Sequence, residues 1–408
     1  MDKKNSLLII SPLFKPEMNR VNDIVNYFLL KNYKVTVLCP IPNYPEGRYF
    51  NGYGIFRKRC EKKENLSIFR VLVYPRKNGS KTNLFLNYLS FIIFSLLPAL
   101  ILSLKKFDLV FVNQLSPITI ALPGIIIKKI QRIPLIMWVT DLWPESVKEA
   151  GNLKSNLIPN MILPIVKFIY RNCDKILVSS KSFIGEVSNK VVGKDIEYMP
   201  QWSEDLFLNN DNKNFQYEPF ENIKSFKILF AGNIGVSQDF ETLIRAMYEI
   251  RKYDVHFVVL GNGRYKKTAI EKVKKLNLND RISFLGTFPL ETMPYFFKNS
   301  DALIISLKKS LIFSKTIPSK TQPYMCSSKP ILTNADGEVS NIINEAKCGL
   351  TANSGDYIQL SKNIIKLNQL SKKDLQKMGD NARKYYLKNF SRKQILMELE
   401  EKIIKLKS

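Results

Sequence analysis

Two glycine turns stand where this chain could hold a phosphate. Ile228 to Ala231 is an apolar run that reads as a buried parallel strand, and Gly232-Asn233-Ile234-Gly235 follows it as a tight turn. Asp239 to Met247 then has the spacing of an amphipathic helix. Glycine lets the backbone approach a ligand closely, and the free N–H groups at the start of a helix favour an anion such as a diphosphate. Val255 to Leu260, Gly261-Asn262-Gly263-Arg264 and the helical stretch Lys266 to Leu276 repeat the arrangement. Strand, glycine turn and helix also occur together for packing alone. Two such turns on successive strands point at one crevice beyond the carboxyl ends of a sheet.

Further along lies Ile317-Pro318-Ser319-Lys320-Thr321-Gln322, which opens a helix through Cys326. Pro318 suits a helix start, and Lys320 adds a full positive charge beside it, either as a phosphate contact or as an ordinary surface lysine. In the first half, Pro134 to Thr140 reads as a strand that ends in Asp141-Leu142-Trp143-Pro144-Glu145-Ser146. Asp141 and Glu145 are candidates for acid/base or orienting work, and Asp141 could equally cap the helix that begins near Pro144. The loop after the first strand carries Glu17, Asn19 and Arg20, on the side of the sheet where ligands bind or simply in solvent. His256 is the one histidine and sits inside a strand, which excludes Ser/His and Cys/His nucleophile schemes.

The elements that would position these groups alternate. Strands read at Ser6 to Ser11, Lys34 to Cys39, Leu109 to Val112, Ile176 to Ser179, Ile282 to Leu285, Ala302 to Leu307 and Pro330 to Thr333, with helical stretches between them, so the class is α/β. With 408 residues the chain accommodates a first domain over 1–200, a polar linker over 201–225 and a second domain over 226–385. The basic, amphipathic C-terminal region, 386–408 at its end, is expected to pack back across the first domain.

Five cysteines without metal-ligand spacing suit a reducing compartment, and the short apolar run near the N-terminus is too short for a signal peptide. The formal charge of +26 invites nucleic acid, yet no DNA- or RNA-binding motif accompanies it and Lys, Asn and Ile are abundant throughout. An anionic substrate or membrane surface fits better. Arg57 to Lys81 is a basic run, which is usually a solvated face but here borders an apolar stretch whose helix its cations would hold on anionic lipid. After it Leu84 to Leu104 is uncharged and about as long as a bilayer span, so it is a span, a buried helix or a helix lying in the membrane interface.

Taken together, PEMNR (16–20), PNYPEGRYF (42–50), DLWPES (141–146), FAGNIGVSQDFETL (230–243), GNGR (261–264), IPSKTQPYM (317–325) and DGE (336–338) resemble the GT4 glycosyltransferases of the GT-B fold, nearest the N-acetyl-L-fucosamine transferase group of bacterial O-antigen and capsule synthesis. The resemblance covers nearly the whole chain. It implies two Rossmann-like domains with parallel sheets facing a central cleft. It also implies a retaining, metal-independent transfer, without cofactor, from a nucleotide-sugar, most often a UDP-sugar, to a lipid-diphosphate-linked saccharide at the cytoplasmic face of the membrane. On this reading Gly232, Asn233, Gly235, Gly261, Gly263, Arg264, Ser319, Lys320, Gln322 and Glu338 hold the donor. Asp141, Glu145 and Lys320 serve catalysis, and Glu17, Asn19 and Arg20 meet the acceptor. Lys315 and Pro323 stand where the family carries a glutamate pair, so Gln322 or Glu338 takes over the ribose contact. Met18 replaces a common glycine. A nucleotide-sugar epimerase of the same fold and a non-enzymatic basic membrane or nucleic-acid binder are the alternatives.

Overall fold

The computed structural model describes residues 5–150, 155–209 and 215–407. The chain forms two compact units, Met1–Pro200 with Lys393–Ser408, and Gln201–Arg392.

The first unit is built on an eight-stranded sheet of β1 (Ser6–Ile10), β2 (Lys34–Pro40), β3 (Cys60–Lys63), β4 (Leu66–Val71), β5 (Leu109–Gln114), β6 (Leu135–Val139), β7 (Lys175–Val178) and β8 (Asp195–Tyr198), in the order β3-β4-β2-β1-β5-β6-β7-β8. Only β3 runs antiparallel, paired with β4. The central strands are mainly apolar, with Asn113 and Gln114 at the carboxyl end of β5, because helices cover both faces of a parallel sheet. The connecting helices are α1 (Arg20–Leu30), α2 (Lys81–Ser103), α3 (Leu122–Gln131), α4 (Glu145–Ala150), α5 (Leu157–Arg171) and α6 (Ser182–Ser188). From β4 to β8 every crossover steps the same way along the sheet, so right-handedness puts α2, α3, α5 and α6 on one face. α1 steps the other way and lies on the opposite face. There it meets the C-terminal helix Arg392–Lys407, whose Glu400 accepts from Tyr27 Oη at 2.7 Å.

Two features of this unit differ from the sequence reading. The basic run 57–81 contains the β3–β4 hairpin, and Arg70 in it is buried against Glu61 rather than solvated. Period-two alternation there was hidden by the lysines of the edge strand, which are the usual protection of an exposed edge. The apolar helix α2 is the crossover from β4 to β5, two strands of one sheet with β2 and β1 between them, not a segment between two sides of a membrane.

The second unit carries β9 (Phe226–Ala231), β10 (Val255–Leu260), β11 (Ile282–Gly286), β12 (Ala302–Ser306), β13 (Ile331–Asn334) and β14 (Gly349–Ala352), all parallel, in the order β11-β10-β9-β12-β13-β14. The chain winds from β9 through β10 to β11, then returns to β12 beside β9. That reversal opens a crevice between the carboxyl ends of β9 and β12.

The stretch 201–225 is part of this unit and no free linker; its residues 210–214 lie outside the described ones. Its polar composition concealed a set of aromatic anchors. Phe207 stacks on Phe297 at 5.2 Å, Tyr217 meets Phe288 at 4.9 Å, and Phe220 meets Phe296 at 5.1 Å. The C-terminal region is two helices, Lys372–Asn389 in the second unit and Arg392–Lys407, which buries Ile395, Leu396, Leu399 and Ile403.

Candidate functional site

The two glycine turns of the second unit are laced together. Gly232 N donates to Leu260 O at 2.9 Å, Ile234 N to Asn262 O at 2.8 Å and Tyr265 N to Ile234 O at 3.0 Å. Gly232 and Gly261 have φ of +141° and +135°, which side-chain-bearing residues rarely adopt. A Cβ on Gly261 would lie 1.8 Å from Gly232 O, and one on Gly263 would lie 2.3 Å from Ile234 O. Glycine is required here for backbone-on-backbone packing as well as for any ligand. The helix that follows the first turn starts where its periodicity put it, at Phe240 with a left-handed Asp239 as its N-cap, after a short 3₁₀ turn.

Into the first turn reaches Lys320, supplied by the segment after β12. Its Nζ lies 3.2 Å from where a Cβ on Gly232 would be and 3.5 Å from the centre of the Phe230 ring. Part of the residue meets solvent, but the Nζ is sealed off and has no hydrogen-bond partner among the described residues. Desolvation pushes this amine down to about 7, and no charged group offsets the effect. The next two side chains repeat the pattern, since Thr321 Oγ1 and Gln322 Oε1 are also buried without partners. Three consecutive orphaned polar atoms are unusual, because an unmet buried group costs about 1–3 kcal/mol. The helix they open, Thr321–Cys326, is held by Tyr324, whose hydroxyl accepts from Ala231 N at 2.8 Å.

The other expected donor residues are spread around this point. Ser319 is exposed, Arg264 and Asn233 stand on the two turns, and Glu338 begins the helix after β13. Lys315 lies at the end of a short helix, Leu311–Lys315, whose Ser314 carbonyl packs against Gly337. Asn334 ties the crevice floor together, donating to Ser306 Oγ at 2.9 Å and Asp239 Oδ2 at 3.2 Å. His256 hydrogen-bonds Ser283 Oγ at 2.8 Å, and burial lowers its pKa, so it is a neutral strand residue.

The carboxyl edge of the first unit's sheet holds a second polar cluster, in which several expected ligand contacts turn out to be internal. Glu17 is buried and accepts from Asn43 N at 2.9 Å, Tyr44 N at 2.8 Å and Phe14 N at 3.4 Å. It stitches the loop after β1 to the loop after β2 and does not face outward. Burial raises its pKa in spite of these donors. Asn19 caps α1 and receives Asn113 Nδ2 at 3.1 Å, while Arg20 is the first residue of that helix. Met18, by contrast, is largely exposed.

Among the described residues no main-chain donor of a helix meets Asp141. Its carboxylate accepts from Ser116 Oγ and from Trp143 Nε1 at 3.3 Å, and burial raises its pKa. Glu145 pairs with the buried Lys190 at 2.9 Å. Around Asp141 the fold gathers residues that the sequence did not single out. Tyr88 lies edge-on to Trp143 with ring centres 6.2 Å apart, and the Arg76 guanidinium sits 5.3 Å from the Tyr44 ring centre. Arg76 acts electrostatically on Glu17 and on Tyr88, and its buried Nε lacks a partner among the described residues. Tyr44 and Trp143 belonged to motifs already noted, whereas Arg76 was one cation among many in the basic run.

Comparison with known proteins places this geometry. Residues 211–385 match the family described as glycosyl transferases group 1. The chain is 26% identical over 267 residues to probable glycosyltransferase WbjE of Pseudomonas aeruginosa, covering 63% of this chain and 64% of that protein, just under two thirds of its length. It is 21% identical to the putative colanic acid biosynthesis glycosyl transferase WcaI of Escherichia coli, over 77% of this chain and 79% of the relative. A shorter match, 30% identical over 30% of this chain and 32% of the relative, is to the N-acetylgalactosamine-N,N'-diacetylbacillosaminyl-diphospho-undecaprenol 4-alpha-N-acetylgalactosaminyltransferase of Campylobacter jejuni. Among solved structures, sucrose-phosphate synthase from Thermosynechococcus elongatus superposes with a TM-score of 0.76 at 13% identity over 99% of both chains. Anabaena HepE in complex with UDP gives 0.70 at 14% identity over 98% of this chain and 100% of that one. Residues 211–385 therefore match the group 1 glycosyl transferases, and the chain as a whole has the GT-B fold.

Proposed function

We propose that this protein transfers a sugar, with retention of anomeric configuration, from a UDP-sugar to a saccharide carried on a lipid diphosphate, as a step in bacterial surface polysaccharide synthesis. The observation that carries the reading is the row of orphaned polar atoms at Lys320, Thr321 and Gln322 beside the laced glycine turns. UDP in the HepE complex and the diphospho-undecaprenol acceptor in the Campylobacter relative's name support the choice of donor and acceptor.

In this scheme Asn233, Arg264, Ser319 and Lys320 take the donor diphosphate, and Gly232, Gly235, Gly261 and Gly263, whose amides already donate within the protein, let it approach the backbone closely. Gln322 and Glu338 take the nucleoside and sugar hydroxyls. Negative charge grows on the leaving diphosphate as the sugar becomes oxocarbenium-like, so a cation and fixed dipoles aimed at it stabilise the transition state. No nucleophilic side chain, metal or organic cofactor takes part. On the first unit Arg76 receives the acceptor's anionic group, Tyr88 and Trp143 its sugar face, and Asp141 orients the attacking hydroxyl with Glu145 behind it. The partners are donor, acceptor and an anionic membrane surface at the cytoplasmic face, with no nucleic acid.

The first test is thermal stabilisation by UDP, GDP, ADP and NAD, because a ligand that binds only the folded state raises the melting temperature. A shift with UDP, followed by transfer from a panel of UDP-sugars that starts with UDP-N-acetyl-L-fucosamine, is the expected result. No shift with any nucleotide removes the reading. Conversion of the sugar without an acceptor replaces it by an epimerase.

A further inference from the structure

α2 is turned inside out. Its inward stripe is Asn87, Phe91, Ser95, Ala99 and Leu102, so two of the buried positions are polar. Asn87 Nδ2 donates to Tyr74 O, and Ser90 Oγ, one turn further on, accepts from Tyr74 N at 2.8 Å. The large apolar side chains face outward instead, with Phe85 62%, Ile93 54% and Leu97 66% exposed. A crossover helix in water places its large side chains against the sheet; one that faces acyl chains places polar groups inward and apolar groups out. Only 22% of its most apolar window is buried.

α5 repeats the feature in the same helix layer. Leu157, Ile158, Met161, Ile165 and Phe168 are exposed, and their spacing of 1, 3, 4 and 3 puts them on one side of the helix. α3 bridges the two, packing on α2, while its Lys129 lies over the Phe168 ring at 5.5 Å and its Ile130 is exposed.

We propose that the outer face of α2, α3 and α5 is the surface on which the protein sits on a bilayer carrying anionic headgroups, with both α2 and α5 seated among the acyl chains. The charges select this occupant. None of the 23 residues of α2, the 10 of α3 or the 15 of α5 is Asp or Glu, while Lys81, Lys129, Lys167 and Arg171 lie on these helices and Lys105 and Lys106 follow α2; Lys128 is already paired with Asp174. A second copy would bring the same cations face to face with no acid to receive them. An anionic lipid surface supplies the apolar depth and the counter-charge together. The opposite face of the sheet is covered, since the C-terminal helix lies on α1. The inference rests on the proposed reaction only in placing the acceptor's lipid in the same bilayer.

Co-sedimentation of the full chain with phosphatidylcholine vesicles, with and without phosphatidylglycerol, tests it. No donor or acceptor is present, so the outcome is independent of transferase activity. Wild type is expected on the phosphatidylglycerol vesicles, and Leu97→Glu and Met161→Glu are each expected to lower partitioning by at least about tenfold at an unchanged melting temperature. Phe85→Ser and Ile165→Ser serve if either glutamate variant fails to fold. Lys106→Glu with Lys129→Glu is expected to remove the preference for phosphatidylglycerol. Wild type left in the supernatant, or Met161→Glu and Ile165→Ser both binding like wild type, overturns the proposal. So does a dimer in light scattering that Leu97→Glu dissolves.

Discussion

Lys320 is an amine stored without a counter-charge. Its burial beside Phe230 offers a cation–π attraction of about 1–2 kcal/mol, against a desolvation penalty of several kcal/mol for an isolated ion, and the second term wins. The folded pKa of about 7 lies below that of the unfolded chain, so between pH 7 and 10.5 the unfolded state binds more protons and the ligand-free protein gains stability as pH rises. Lys320→Met is expected to flatten that slope and to raise the melting temperature at pH 7, by about 1–2 °C for each kcal/mol regained in a chain of this size. It is also expected to abolish the response to UDP. A diphosphate supplies the missing counter-charge, so at pH 8, where UDP is itself fully ionised, calorimetry in buffers of different ionisation enthalpy should record uptake of close to one proton. Uptake unchanged in Lys320→Met would assign it elsewhere. In the first unit Glu17 is the counterpart, a carboxylate spent on three main-chain donors. Glu17→Gln keeps the shape and loses the charge assistance, and a cost of about 1–3 kcal/mol by denaturant melting is expected.

At the scale of elements, the glycine turns behave as one unit because their backbones touch. Gly261→Ala adds a Cβ 1.8 Å from Gly232 O at a φ of +135°, so both turns must shift. A loss of UDP stabilisation together with a cost of about 3 kcal/mol or more is expected. Gly193→Ala, in the first unit, is the control. Its φ is +72° but nothing lies within 4 Å of the added carbon, so only backbone strain of about 1–2 kcal/mol is expected, with UDP binding retained.

The whole molecule closes its first unit with its last residues. Leu399 and Ile403 are fully buried in that unit, and Lys402 pairs with Glu197 at 2.7 Å. Leu399→Ala is expected to cost the first unit about 2–4 kcal/mol and to split calorimetric melting into two transitions. UDP should still raise the second, because the proposed donor residues all lie in 201–392.

Most strands, the alternation that makes the class α/β and the two turns were legible in the sequence, because apolar runs ended by glycine carry their own local cause. Lys320 was legible as a cation near a helix start. Neither its missing counter-charge nor its place over Phe230 was, since both depend on β9 and β12 becoming neighbours across a gap of some 70 residues. The β3–β4 hairpin was hidden by its edge lysines, and 201–225 by its polar composition. Glu17 turned inward for the same reason. A carboxylate that meets main-chain amides of a distant loop cannot be told from a free one by its neighbours in sequence. Composition made α2 apolar; only the tertiary structure decided which way it faces, because that depends on which side of the helix meets the sheet.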